Sequence, residues 1–225
     1  ACHNFGISTS IDGNELVHNN NRPYIDGRGT YEKVVESVGR IRASGLHVGA
    51  IETTTRYSLD YSKEIVNAYV DMGFDSIFIR PLTPLGKAAK YWNEIGYTTE
   101  EFIEFYGRSL DELLVINKNG RFIKEDHATI LLRRIRGDFM NYMELRSPCG
   151  AGVGQLAYYA DGNIFTCDEG RMLHEMGQST FKLGNVYKST YRDLINNNIC
   201  KTVCSASVLE SLPTCCDCVY QPYCG

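Results

Sequence analysis

The 225-residue sequence predicts an α/β fold followed by a small cysteine-rich α+β domain, and three observations carry that expectation. Strand-length apolar segments alternate with helix-length amphipathic segments through the N-terminal part of the chain. After Pro148 the texture changes, and glycine and cysteine become frequent. Eight of the nine cysteines lie at or beyond Cys149.

Taken in order, Phe5-Gly6-Ile7-Ser8-Thr9-Ser10-Ile11 reads as a short strand, and Asp12-Gly13-Asn14 turns the chain. Thr30 is placed to cap a helix whose Val34, Val35, Val38 and Ile41 form one apolar stripe, stopped by Ser44-Gly45. A strand is expected over 47–55, then a helix over 62–72 ended by Gly73, then the apolar strand Ser76-Ile77-Phe78-Ile79. Strands joined by crossover helices at this spacing make parallel βαβ units. Three such strands do not close a barrel. Thr98-Thr99-Glu100-Glu101 opens a helical stretch with a capping box, and Phe102, Phe105, Tyr106, Leu110, Leu113 and Leu114 continue it at helical period. Asn119-Gly120 splits that stretch into two helices. Beyond Pro148, Leu156-Ala157-Tyr158-Tyr159-Ala160, the turn Asp161-Gly162 and Ile164-Phe165-Thr166 read as a hairpin, in which Tyr158 and Tyr159 serve packing. A domain boundary is expected near Arg146, separating 1–95 and a helical connection at 96–146 from 147–225.

Composition narrows the function classes. The chain is 43% apolar and 22% charged, ordinary values for a globular protein. Its net charge of −4 is spread among interspersed acids and bases, which leaves no electrostatic footprint for a nucleic-acid backbone. No apolar run approaches the roughly 18 residues that span a bilayer, and Ala1-Cys2-His3-Asn4 is not a leader, so a cytoplasmic protein with no membrane partner is expected. The sequence opens on Ala1 rather than methionine and closes at Cys224-Gly225 inside a cysteine array, so it reads as an incomplete piece.

The cysteines fall into two groups. Cys149 and Cys167 bracket the hairpin as C-x12-G-x4-C, and Cys215, Cys218 and Cys224 give C-x2-C-x5-C. Two thiolates set two residues apart by a turn can reach one metal, which suits a structural zinc site or an iron–sulfur cluster. Five sulfurs in two groups favour clusters over zinc. Cys200, Cys204 and Cys216 fit neither spacing, although Cys200-x3-Cys204 can supply a missing ligand.

These spacings resemble the radical S-adenosyl-L-methionine (SAM) enzymes with a SPASM domain, whose signature is C-x9–15-G-x4-C, then C-x2-C-x5-C-x3-C and a last cysteine. Ser10-Ile11-Asp12-Gly13 followed by His18 and Arg22 resembles the S-x-D-G…H…R segment of the sulfatase-maturing and peptide-maturing members. Phe78-Ile79-Arg80-Pro81-Leu82 resembles a later barrel strand of the same enzymes. Glu52-Thr53-Thr54-Thr55-Arg56, Ile79-Arg80-Pro81-Leu82-Thr83-Pro84 and Cys167-Asp168-Glu169-Gly170-Arg171-Met172-Leu173 are similar to the His-Xaa-Ser system maturases.

The resemblance implies a partial (β/α) barrel of the radical SAM type and a truncated SPASM domain. It implies that Ser10 and Arg22 contact SAM, the arginine through the SAM carboxylate, and that Leu82 lines the adenosine pocket. Cys149 and Cys167 would ligate one auxiliary 4Fe-4S cluster and Cys215, Cys218 and Cys224 a second, while Asp168 accepts the substrate proton. The implied partners are a small ribosomally made peptide and an electron donor such as flavodoxin or ferredoxin. Two departures stand out. The C-x3-C-x2-C loop that holds the SAM-cleaving cluster is absent, so the polypeptide as given is expected to be inactive; and Gln155 and its neighbours offer no cysteine where the sulfatase-maturing branch has one. Read as residues alone, Ser10 and Asp12 also fit a strand end and a turn, His18 a loop or helix cap, and Asp168 the cap of a helix starting at Glu169. A sulfatase-maturing (formylglycine-generating) radical SAM enzyme is the alternative among enzymes, and a non-catalytic zinc- or cluster-stabilised peptide-binding module is the alternative from another class.

Overall fold

The computed structural model describes residues 6–138, Tyr142 and residues 145–224. The chain divides into two compact units, residues 1–84 with 88–129, and residues 85–87 with 130–225. The first is built on a four-stranded parallel sheet of β1 (Ile7–Ser10), β2 (Val48–Thr53), β3 (Ser76–Arg80) and β4 (Lys124–Glu125), in that order. The expected α/β class with parallel βαβ units is therefore what forms. Connecting these strands are α1 (Glu15–Asn21), α2 (Tyr31–Ala43), α3 (Ser62–Asp71), the short turns α4 (Lys87–Lys90) and α5 (Trp92–Ile95), and the long α6 (Thr99–Lys118). The capping box at Thr98 and Glu101 is present, and Gly120, at φ 90°, ends the α6 stretch before β4 and α7 (Asp126–Ile135). Phe5, expected in the first strand, lies outside the described residues.

Alternation along β2 decides which side of the sheet is which. Val48, Ala50 and Glu52 are buried, whereas Gly49, Ile51 and Thr53 are only partly so. Paired residues of parallel strands share a face. The register Thr9↔Ala50 and Glu52↔Ile79 therefore assigns one face to the core, where Ile11, Ile65, Tyr69, Ile77, Ile79 and Phe105 are fully buried. The register Ser10↔Ile51, Ile51↔Phe78 and Thr53↔Arg80 assigns those residues to the other face. Glu125 closes the edge of the sheet: one carboxylate oxygen accepts the Ile79 N–H at 3.1 Å, and the other takes the Tyr106 hydroxyl and the Ala128 N–H of the first turn of α7. That last bond is an N-cap made by glutamate.

The second unit is smaller in its core. β5 (Ala157–Tyr158), β6 (Asn163–Phe165) and β7 (Lys182–Asn185) form an antiparallel sheet in that order. The first two are the expected hairpin, turned at Gly162 with φ 83°. β7, α8 (Asp168–Glu175), α9 (Tyr191–Asn196) and α10 (Asn198–Ala206) complete it, with a last short helix α11 (Gln221–Cys224). Ile164, Leu183, Leu194 and Cys200 make its buried cluster, with Leu156, Ile199 and Cys204 packed against them. Tyr158 is 60% exposed rather than packed, while Tyr159 meets the His174 ring edge-on. No helix among the described residues is long and apolar enough to cross a membrane.

Candidate functional site

Ligands of open parallel sheets gather at the carboxyl ends of the strands, and that edge of the first unit carries a concentration of polar groups. Ser10 is the last residue of β1, on the face opposite the core, and Asp12 follows two residues later at 1% exposure. One Asp12 oxygen accepts Arg22 Nε at 2.7 Å, and the other accepts the Thr53 N–H at the end of β2 at 3.1 Å. Arg22 itself is partly exposed, and its two terminal nitrogens make no hydrogen bond among the described residues. A guanidinium held through Nε alone keeps its Nη1–Nη2 edge for a carboxylate, which that edge matches in bidentate fashion.

Asn14 explains why this segment folds as it does. Its side chain accepts the Val17 N–H at 3.1 Å and so caps α1, a helix the hydrophobic pattern does not announce. His18 sits inside α1 and is buried, neither a loop nor a cap residue, and its Nδ1 accepts the Asp12 N–H at 3.2 Å. Burial pushes the imidazole below the ordinary histidine range, with Asp12 opposing and Arg22 adding to the effect. Thr30 stands at the start of α2 as expected but makes no capping bond; its hydroxyl donates instead to the Arg22 carbonyl at 2.6 Å.

Glu52, the first residue of the Glu52-Thr53-Thr54-Thr55-Arg56 segment, is given no role by the resemblance and is fully buried on the core face. Its Oε2 accepts the Thr54 hydroxyl at 2.8 Å, and its Oε1 has no hydrogen-bond partner among the described residues. Burial raises its carboxyl well above the usual range. The alternation of β2 already places residue 52 with Val48 and Ala50, which is the signal that finds it. Leu82, two residues beyond β3, is half-buried, and its N–H donates to the Tyr97 hydroxyl at 2.6 Å. Burial pushes that phenol up to about 12.

In the second unit Cys149 is half-buried and its N–H donates to Ser207 Oγ at 2.9 Å. The Gly152 N–H donates to the Thr166 carbonyl at 2.7 Å, which docks the segment after Cys149 against the strand end before Cys167. Cys167 caps α8, its sulfur accepting the Gly170 N–H at 3.4 Å, and burial raises its thiol. Asp168 is therefore the first helical residue rather than the cap; it is exposed, with Oδ1 accepting Arg171 Nε at 2.8 Å. Cys215 and Cys218 are joined across a turn by the Cys218 N–H and the Cys215 carbonyl at 3.1 Å, and Cys224 ends α11. All eight described cysteines are free thiols. No three potential ligands among the described residues stand close enough to hold a single metal ion. The donor set, thiols unpaired and mostly reachable from solvent, fits iron–sulfur ligation chemically.

No family profile matches the chain. It is 19% identical over 222 residues, 98% of its length, to a cysteine-type anaerobic sulfatase-maturating enzyme of Clostridium novyi (strain NT), of which it covers 56%. Two solved structures resemble it at a TM-score of 0.79 and 19% identity over 96% of the chain. They are native anSMEcpe with bound AdoMet and the same protein with AdoMet and the Kp18Cys peptide. The chain spans 56–57% of the length of these structures, whose α/β fold it shares.

Proposed function

We propose that this chain is part of a radical SAM maturase that modifies a peptide, with SAM and 4Fe-4S clusters as its cofactors. The observation that carries the reading is Arg22, anchored through Nε by a buried carboxylate and left with its Nη1–Nη2 edge at the carboxyl end of a parallel sheet, on a chain alignable almost throughout with sulfatase-maturating enzymes. When bound, SAM and the clusters supply hydrogen-atom abstraction from the peptide.

The chain's own residues have separate tasks. Arg22 binds the SAM carboxylate, the Ser10 hydroxyl hydrogen-bonds the same ligand from the end of β1, and Leu82 covers the adenosine. Cys149 and Cys167 hold one auxiliary cluster; Cys215, Cys218 and Cys224 hold a second. Asp168, with Oδ1 engaged by Arg171, offers Oδ2 to the proton that leaves the substrate. The substrate class we favour is a small ribosomally made peptide, as in the His-Xaa-Ser systems, with electrons from a flavodoxin or ferredoxin. The sequence gap at Gln155, where the sulfatase-maturing branch has a cysteine, speaks for that choice over a sulfatase.

Titration of the full-length, anaerobically reconstituted protein with SAM tests the reading. Arg22→Ala should weaken binding by about 1.5–3 kcal/mol, the worth of a hydrogen bond to a charged group. Unchanged affinity would remove Arg22 from the site and the reading with it.

A further inference from the structure

Arg22 is gripped by side chains that none of the roles above uses. Asp12 has both oxygens committed, one to Arg22 Nε at 2.7 Å and one to the Thr53 N–H at 3.1 Å. The Asp12 N–H donates to His18 Nδ1 at 3.2 Å, which makes that nitrogen the acceptor and places the imidazole proton on Nε2. Nε2 then donates to Thr30 Oγ1 at 3.1 Å, and the Thr30 hydroxyl in turn donates a hydrogen bond to the Arg22 carbonyl at 2.6 Å. The path closes on Arg22 from both sides, guanidinium through Asp12 and backbone through Thr30, with the buried His18 joining them. Thr30 forgoes the capping bond its position invites in order to do this.

We infer that Asp12, His18 and Thr30 are positioning residues, whose task is to aim the Nη1–Nη2 edge of Arg22 at a ligand carboxylate. The inference rests on the reading of Arg22 given above and deepens it. Electrostatics and positioning make opposite predictions for Asp12. A neutral residue at 12 leaves Arg22 with more uncompensated positive charge and by that effect alone tightens its hold on an anion. It also replaces one acceptor by a donor facing either Arg22 Nε or the Thr53 N–H, so the guanidinium is no longer fixed, and binding weakens because the orientation must be bought at the moment of association.

The test compares SAM with decarboxylated SAM, which lacks the carboxylate, as ligands of the full-length protein. Asp12→Asn should weaken SAM by roughly 10-fold or more, the scale of losing a partner that orients a ligand-binding side chain, and leave decarboxylated SAM unchanged. Where Asp12→Asn does not fold, His18 decides the matter. His18→Asn keeps an acceptor near the Nδ1 position and should retain most of the preference for the carboxylate; His18→Leu keeps none and should lose it. Equal or tighter SAM binding in Asp12→Asn, equal loss of both ligands, or identical behaviour of the two His18 variants would overturn the inference. Arg22→Ala separates the two levels. If it loses SAM selectively while the positioning variants do not, the site stands and the array falls; if it loses nothing selectively, both fall.

Discussion

At the carboxyl edge of the parallel sheet, Asp12, His18 and Thr54 are buried and each has a partner from the chain itself. In the last part of the second unit the pattern is reversed. Cys216, Cys218 and Cys224 are exposed, Cys215 is half-buried, and no three ligating side chains among the described residues converge. An unpaired buried polar group costs about 1–3 kcal/mol, and with Glu52 Oε1 as the exception the first region has its geometry before a ligand arrives. Exposed thiols carry no such constraint. On the proposed function, their arrangement would be completed by the group they bind.

Asp168 gives the largest expected effect, because the proposed function makes it the base that takes up the substrate proton. In the full-length protein Asp168→Asn keeps the shape but cannot take up a proton, so modified peptide should fall by roughly 10²–10⁴-fold, the worth of a general base. Iron content and SAM cleavage should be normal. Loss of iron would make Asp168 a support for Cys167, and full product would leave it merely a surface partner of Arg171.

Core truncations sharpen the comparison next. Phe105 is fully buried in the large core, and Phe105→Ala should cost about 3–5 kcal/mol. Leu194 belongs to the small cluster of the second unit, and Leu194→Ala should cost about 2–5 kcal/mol there. Hydrogen exchange resolves the two: each variant should deprotect amides of its own unit. Uniform deprotection by either one would erase the distinction between the units.

The pH profile of stability yields the smallest effect and tests the buried edge. The pKa of Glu52 is raised in the fold, so its contribution is present below about 4.3, the unfolded value, and is lost as pH rises toward the folded one. His18 is lowered, so its contribution is present above about 6.5 and is lost as pH falls. Between those values the slopes oppose each other. Denaturant titrations of Glu52→Gln should therefore show stability rising with pH in this window, and those of His18→Asn should show it falling. Variants with the wild-type profile would contradict the directions of the two shifts.

The sequence makes the scaffold legible and much of the site obscure, for reasons that lie in range. Helices α2, α3 and α6 and strands β2 and β3 announce themselves because apolar periodicity is a local signal: Val34, Val38 and Ile41 repeat within one segment. Helix α1 does not, since Glu15-Leu16-Val17-His18-Asn19-Asn20-Asn21 is mostly polar and is held by the Asn14 cap and by tertiary bonds. β7 is only four residues long and includes a glycine. Ser10, Arg22, Leu82 and the cysteines could be named from motif resemblance. The links from His18 to Thr30 and from Asp12 to Thr53, at separations of 12 and 41 residues, could not, because nothing in a one-dimensional pattern pairs them.

On the proposed function the cysteine groups of this chain hold iron–sulfur clusters, and anaerobic reconstitution of the chain with iron, sulfide and zinc in competition tests this most directly. The account predicts brown protein containing iron and acid-labile sulfide in comparable amounts, diminished by Cys149→Ser with Cys167→Ser and separately by Cys215→Ser with Cys218→Ser. Stoichiometric zinc with no bound sulfide would contradict it and would support the zinc-stabilised module in its place.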